Sequence, residues 1–303
     1  MKRIELKAYA KINLSIDVLR RRSDGYHDVS MIMQLINLFD EIKVEYKEGK
    51  EPFEISLSTD MKDLPIDKNN LAYRAAELIT TYYCDDKGGK IEIHIAKKIP
   101  LAAGLAGGSA DAAAVLHALN KLLNLELSLD QLKELGMKLG ADVPFCVMGQ
   151  AAILDFPKDQ ASTCAHAEGI GELLTPIKPL ESWLVLSKPP VNVSTKDIYQ
   201  SLNVSEIKKR PDNLSLIDGL KEENFEKITS SMFNVLEEVS ESKFGEIGKT
   251  KDIMARIKGD HKVMMTGSGP TVFAISKDYL TAEKIFNEVR EYNKDTFLVN
   301  TLN

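Results

Sequence analysis

The sequence predicts an α+β protein of two domains, on three observations. A long alternating strand pattern opens the chain, helices follow strands in runs without strict alternation, and the second half mixes strands and helices again. The 303 residues can bury a core in each half without crosslinks. The boundary falls near residue 155, before the polar, irregular stretch 156–163, which gives domains 1–155 and 156–303.

In residues 4–18 the even positions run Ile4, Leu6, Ala8, Ala10, Ile12, Leu14, Ile16, Val18, while Glu5, Lys7, Tyr9, Lys11, Asn13, Ser15 and Asp17 take the odd ones. Successive strand side chains point to opposite faces, so this reads as a half-buried strand with Lys11 and Asn13 together on the face away from the core. The turn-forming Ser23-Asp24-Gly25 then delivers Tyr26 and His27. Further strands are predicted at 41–46, 53–57 and 90–97, and a helix at 70–82 with Leu71, Ala75 and Leu78 on one face. After the glycine-rich stretch 104–108, Ser109 opens a helix whose Val115, Leu116, Leu119, Leu122 and Leu123 keep the helical period. Ser128 with Gln131 has the form of a capping box, and Gly140 ends the helix it starts. The second half predicts a strand at 183–187, the turn Lys188-Pro189-Pro190, and helices at 214–220 and 225–239. Strands at 262–265 and 271–276 flank Thr266-Gly267-Ser268-Gly269-Pro270, and a last helix covers 281–291.

The formal charge of -6 argues against a surface that neutralises many phosphates, as a nucleic-acid binder or an anionic-membrane protein needs. Cys84, Cys146 and Cys164 form no CxxC pair and read as small buried hydrophobes in a reducing compartment. Glu5 and Lys7 follow Lys2 and Arg3, so no apolar run for a secretory signal appears, and the uncharged stretch 143–154 is too short to span a bilayer. A cytoplasmic protein is expected. No two histidines are spaced as metal ligands on one helix; His94, His117, His166 and His261 read as structural or surface residues.

Four elements could carry chemistry. Residues 100–111 join a strand to a helix through Gly104, Gly107, Gly108 and Ser109. A helix N-terminus carries unpaired N–H groups and partial positive charge, so glycines before it let phosphate oxygens approach. The loop lacks both GxxxxGK[ST] and a βαβ GxGxxG, and a tight turn packed on a sheet explains it equally well. Lys11 alone reads as a solvated surface cation. Asp142, in Gly140-Ala141-Asp142-Val143-Pro144-Phe145, reads as an N-cap followed by a first-turn proline as readily as a functional carboxylate. Thr266-Gly267-Ser268-Gly269 reads equally as a hairpin turn.

Together and in this order, the four elements resemble the GHMP kinases, the family of galactokinase, homoserine kinase, mevalonate kinase and phosphomevalonate kinase. The resemblance rests on Ala10-Lys11-Ile12-Asn13-Leu14, Asp24-Gly25-Tyr26-His27, Ile99-Pro100, Ala103-Gly104-Leu105-Ala106-Gly107-Gly108-Ser109, Leu139-Gly140-Ala141-Asp142-Val143-Pro144-Phe145, Gly169-Ile170-Gly171-Glu172 and Met265-Thr266-Gly267-Ser268-Gly269. It is near complete over the first half and thin between 203 and 262. The sequence departs from the family at Ala106, where glycine is common, at Ala110, often a second serine, and at Pro270, often alanine. The family implies an N-terminal domain of the ribosomal-protein-S5 type and a C-terminal ferredoxin-like α/β plait. The Asp-Gly-Tyr-His element points to the branch that phosphorylates the 2-hydroxyl of a cytidine-diphosphate-linked methylerythritol, in the non-mevalonate route to isoprenoid precursors.

The resemblance implies the following roles. Lys11 stabilises the transferring phosphoryl group, and Asp142 takes the substrate hydroxyl as base or orienting acceptor, with a Lys11–Asp142 ion pair fixing both. Asn13 hydrogen-bonds substrate near the reacting end. Pro100, Gly104, Leu105, Ala106, Gly107, Gly108 and Ser109 hold ATP phosphates with Mg2+, whose protein ligands stay open, and Asn70, Leu71 and Lys97 take the adenine side. Tyr26, His27 and Tyr199 receive the cytosine by stacking and edge hydrogen bonds, with Thr195 and Gly267 on the same substrate. A monomer or weak homodimer is implied, without nucleic-acid or membrane partners. The alternatives are a sister kinase acting on mevalonate, homoserine or a sugar, and, more remotely, a non-catalytic RNA-binding protein, against which the acidic balance weighs.

Overall fold

The opening alternation forms one strand, β1 (Lys2–Arg21), and the chain returns at once as β2 (His27–Glu48), which pairs with it. The structure, a computed structural model, describes residues 1–303 and divides into two units. The first comprises Met1–Ala10, Leu38–Ile99 and Ala106–Ala161; the second comprises Lys11–Asn37, Pro100–Leu105 and Ser162–Asn303. Both long strands run from one unit into the other, so neither unit is contiguous in sequence.

In the first unit, β4 (Gly89–Ala96) lies antiparallel to the second half of β2, with Glu41 opposite Ala96, and parallel to β3 (Glu54–Thr59). A parallel pair needs a crossover, supplied here by α1 (Leu71–Tyr83). Asn70 caps α1, accepting from the Ala72 N–H at 2.8 Å. Three helices follow: α2 (Gly107–Leu122), α3 (Leu129–Leu139) and α4 (Val143–Ile153). Both bonds of the predicted Ser128–Gln131 capping box are present, and Gly140 ends α3. The uncharged stretch 143–154 is α4, a helix buried over most of its length. Helix α2 begins two residues before Ser109, because Ala106 takes the left-handed conformation that turns the chain into the helix.

In the second unit, the first half of β2 pairs antiparallel with β5 (Cys164–Gly169), itself paired with β6 (Leu173–Pro176). A separate antiparallel sheet has the order β10 (Asp295–Asn300), β7 (Trp183–Lys188), β9 (Val272–Ser276), β8 (Lys262–Met265). Counting from β7, this order is fourth, first, third, second, with helices between β7 and β8 and α10 (Tyr279–Val289) between β9 and β10. That is the βαββαβ plait expected for the C-terminal part. The intervening helices are α5 (Thr195–Ser201), α6 (Asn213–Glu222), α7 (Phe225–Ser231), α8 (Glu237–Lys243) and α9 (Gly245–Ala255). The single helix expected at 225–239 is broken between α7 and α8. There the Asn234 side chain accepts from Leu236 N–H and donates to the carbonyls of Met265 and Gly267.

Burial corrects one expectation. The even face of β1 is core, but Lys11 and Asn13 on the odd face are only 4% and 1% exposed, and Ser15 is fully buried. Residues far along the chain cover that face, with Thr266 over Asn13 and Asn213 over Ser15. No helix is long and apolar enough to cross a membrane.

Candidate active site

The glycine loop leads into α2, whose first turn has no side-chain cap. The first helical bond runs from Ala110 N–H to the Ala106 carbonyl at 2.9 Å, so the amides of Gly107, Gly108 and Ser109 lie ahead of the helical ladder. A Cβ at Gly108 would meet only Leu71, at 3.6 Å, whereas one at Gly107 would come within 3.0 Å of both the Lys97 ammonium and Ile99. Gly108 is thus the open side of the turn and Gly107 the packed side. Uncapped amides beside an exposed glycine suit a polyphosphate. Ala106 holds φ 57°. The glycine usual in the family adopts that region freely, whereas alanine there costs about 1–2 kcal/mol.

At Gly104, φ is +73°, and a Cβ would lie 2.8 Å from the Gly269 carbonyl oxygen and 2.9 Å from that of Thr266. The backbones of the two loops touch here with no room for a side chain. Gly104→Ala is therefore expected to cost about 1–3 kcal/mol of strain, read by urea denaturation. Gly108→Ala should leave the melting temperature unchanged and raise the KM for ATP.

Lys97, expected on the adenine side, has its side chain turned into the interior. Its side chain is 1% exposed, and its ammonium bonds to Asp40 and to Asp111 Oδ2, the latter at 2.8 Å. Asp40 Oδ1 also accepts the backbone N–H groups of Lys98 (2.6 Å) and Ile99 (2.8 Å). Asp40 is thus fully served as an anion, while Asp111 Oδ1 finds no donor. Burial, against the pull of Lys97 and with the push of Asp40, raises the Asp111 carboxyl to about 8. The raised value favours the protonated form of Asp111. Asn70 is also committed inward, since it caps α1 and donates to the Pro65 carbonyl at 2.8 Å. Of the three expected adenine-side residues, Leu71 adjoins the open side of the glycine turn at Gly108 and Lys97 the packed side at Gly107. Asp142 sits at the N-cap of α4, with Pro144 in the first turn, but makes no capping hydrogen bond. Its carboxylate therefore does not serve as the cap.

In the second unit, the Lys11 ammonium donates to Asn13 Oδ1 at 2.7 Å, and the Lys11 N–H donates to the Leu105 carbonyl at 3.1 Å, tying β1 to the glycine loop. Asn13 Nδ2 donates to Met31 Sδ at 3.3 Å. At the strand end, Gly25 takes φ 88° and Asp24 accepts the Tyr26 N–H, so the turn leaves Tyr26 exposed while His27 is buried. The His27 and Tyr199 rings lie 5.4 Å apart at 41°. Burial first, then the charge of Arg21, lowers the His27 pKa, so its imidazole is neutral at pH 7 and offers one donor and one acceptor. Thr195, at the start of α5, bonds to the Ser268 hydroxyl at 2.8 Å, beside Gly267 at φ 61°. Sequence reasoning missed Asp40, Asp111 and the Thr266 hydroxyl. A signal existed for Asp111, a lone acid in an apolar run.

No cluster of three histidine, cysteine or acidic residues could cage a metal.

The sequence matches the family descriptions "GHMP kinases N terminal domain" over residues 70–150 and "GHMP kinases C terminal" over 216–295. These matches and the two-unit α+β fold define the class as ATP-dependent phosphotransferases acting on small-molecule alcohols. Proteins of Alkaliphilus metalliredigens and Clostridioides difficile named 4-diphosphocytidyl-2-C-methyl-D-erythritol kinase are each 45% identical over 300 residues, covering 99% and 98% of this chain and 97% and 95% of their own. A crystal structure of 4-(cytidine 5'-diphospho)-2C-methyl-D-erythritol kinase superposes with a TM-score of 0.78 at 27% identity, covering 99% of this chain and all of the other. A homoserine kinase from Cytophaga hutchinsonii shares the fold, with a TM-score of 0.73 at 22% identity over 99% of this chain and 96% of its own. The chain belongs to the 4-diphosphocytidyl-2-C-methyl-D-erythritol kinase family of the GHMP kinases.

Proposed function

We propose that this protein phosphorylates the 2-hydroxyl of 4-diphosphocytidyl-2-C-methyl-D-erythritol in the cytoplasm, with ATP as donor and Mg2+ as its metal. The observation that carries the substrate reading is the Asp24-Gly25-Tyr26-His27 turn, which leaves one aromatic ring exposed and sets a neutral imidazole beside Tyr199. Residues 1–155 take the nucleotide side and 156–303 the substrate side, with β1 and the Tyr26–His27 turn also serving the substrate.

Bound ATP with its metal supplies the γ-phosphoryl group. The amides of Gly107, Gly108 and Ser109 receive its phosphates, with residues 100–106 shaping the turn and Leu71 flanking it. Lys97 serves from below, as the internal counter-ion under Gly107, and Asn70 by capping α1. Phosphoryl transfer depends mainly on positioning and charge stabilisation. Lys11 meets the charge that develops on the transferred group, Asp142 accepts or orients the attacking hydroxyl, and Asn13 hydrogen-bonds the alcohol. His27 addresses the cytosine edge, Tyr26 and Tyr199 its faces, and Thr195 and Gly267 complete the substrate side.

The test is ADP release from purified protein with ATP, Mg2+ and a panel of alcohols. Turnover with the cytidylyl substrate and none with homoserine or mevalonate is expected, and the reverse preference would reject this substrate. Cytidine diphosphate in excess should raise the melting temperature by mass action. His27→Ala should raise the KM for the cytidylyl substrate and leave that for ATP unchanged. In the unmodified protein that KM should stay flat as the pH falls through the ordinary imidazole value and rise only below it, where the depressed His27 takes a proton and loses its acceptor. A rise centred at the ordinary value would remove His27 from base recognition.

A further inference from the structure

We propose that Thr266 is a positioning residue for phosphoryl transfer, acting through Asn13 on the ammonium of Lys11. The inference rests on the reading of Lys11 as the group that stabilises the transferring phosphoryl, and it concerns what holds that cation in place. A lysine ammonium on four flexible carbons has no inherent direction, so its aim is set by what accepts its hydrogens. One such acceptor is Asn13 Oδ1, at 2.7 Å.

An asparagine amide can be flipped end for end, and only one orientation presents oxygen to Lys11. Two contacts select it. Asn13 Nδ2 donates to Met31 Sδ, a weak acceptor, at 3.3 Å. The Thr266 hydroxyl accepts the Asn13 backbone N–H at 3.0 Å and donates to Asn13 Oδ1 at 3.4 Å. The one hydroxyl thus grips the main chain and the side chain of the same residue. The flipped amide would turn an NH2 toward the Lys11 ammonium, donor against donor.

Thr266 can act as an anchor because its own backbone is fixed on every side. Its N–H donates to the Thr271 carbonyl at 3.0 Å, and the carbonyls of its neighbours, Met265 and Gly267, are held by the two hydrogens of Asn234 Nδ2 at 2.9 Å each. The Met265 N–H donates to Glu237 Oε2 at 2.6 Å, and the Ser240 hydroxyl to the Ser268 carbonyl at 2.9 Å. Thr266 itself is completely buried. The break between α7 and α8 that places Asn234 therefore serves this loop, and through it the amide that aims Lys11.

The experiment uses the full-length protein and compares Thr266→Val, which keeps the shape and loses the hydroxyl, with Thr266→Ser, which keeps the hydroxyl and loses the methyl. In Thr266→Val, kcat should fall about 100-fold, the loss typical of a misplaced reacting group, the KM for the alcohol should rise, and the KM for ATP should not move. Thr266→Ser should restore most of the turnover. In an Asn13→Ala background the Val substitution should add little further loss, since the two residues act as one unit. Serine as damaging as valine, additive losses, or a parallel change in both KM values would each overturn the inference by making Thr266 a packing residue. Should the valine variant not fold, Thr266→Ser against Thr266→Ala decides, because both lack the methyl and differ only in the hydroxyl. Lys11→Ala is measured alongside. An inactive Lys11→Ala with an unimpaired Thr266→Val rejects the role of Thr266 alone, whereas an active Lys11→Ala rejects the reading of Lys11 and this inference with it.

Discussion

Asp142→Asn is expected to lower kcat by about 10²- to 10⁴-fold, the range by which a positioned acid or base contributes to a proton transfer. The melting temperature and ATP binding should stay close to those of the unmodified protein. The exchange leaves the capping geometry of α4 as it is. Asp142 occupies the N-cap of α4 without a capping bond, and Pro144 already supplies the fixed φ and missing N–H that suit a first turn. Asparagine at the same place removes no capping bond and is itself a good N-cap residue. A loss confined to turnover then reports the charge and acceptor capacity of the carboxylate. Lys11→Ala should also be confined to turnover, at about 10²- to 10³-fold, the loss on removing one donor aimed at developing charge. Near-normal kcat in either variant, measured by ADP release at saturating substrate, would take that residue out of the mechanism.

Asp40→Asn and Asp111→Asn, chemically the same change on one lysine's two partners, should differ sharply. Asp40 accepts three hydrogens, from the Lys97 ammonium and from the N–H groups of Lys98 and Ile99. An amide there replaces one acceptor by a donor, facing either two backbone N–H groups or an ammonium, and leaves Lys97 buried without an anion. Breaking a buried pair in this way costs about 3–5 kcal/mol. Asp111, in contrast, has its pKa raised to about 8 by burial, which favours the neutral acid. Its Oδ2 accepts from Lys97, and its carboxyl is within hydrogen-bonding reach of Asp40, so an asparagine can accept from the lysine and donate to the carboxylate.

The pH dependence has a definite sign. The folded-state pKa of Asp111 is raised from 3.8 to about 8, so the folded chain binds a proton that the unfolded chain has released between these values. The stability contributed by that proton is fully present below the unfolded pKa and is lost as pH rises through about 8. Asp111→Asn cannot ionise. Its stability relative to the unmodified protein should therefore improve steadily from pH 4 to pH 8, as measured by urea denaturation at a series of pH values. A flat difference across that window would show that Asp111 is ionised in the fold.

Much of the fold was legible in the chain because local physics is one-dimensional. The Ser128–Gln131 box, the Gly140 stop, the alternation of β1 and the helical period of α2 depend on residues a few positions apart, and each was found where the pattern put it. Where a strand is buried on both faces the alternation disappears. Thus the apolar run 29–39 of β2 carried no strand signal, although Val29 to Gln34 pair with β5. The short strands β6 and β10 and the helix α9 lack a periodic signal long enough to stand out.

For the site, the sequence by itself determined the candidates: the glycine turn before a helix, the cation and amide one strand period apart, the carboxylate before Pro144, and the aromatic–imidazole turn. Only the tertiary structure decided which of these groups are free to meet a ligand and which are spent on the fold. Lys97, placed on the adenine side by the family resemblance, has its ammonium bonded to two acids in the interior, while Lys11 reads as a surface residue and proves to be buried and bonded to Asn13. The reason is physical: burial and hydrogen-bond partnership are properties of what packs around a residue, and the groups that settle it for Lys11 and Lys97 come from positions as distant as 40, 111 and 266, beyond the reach of any local pattern.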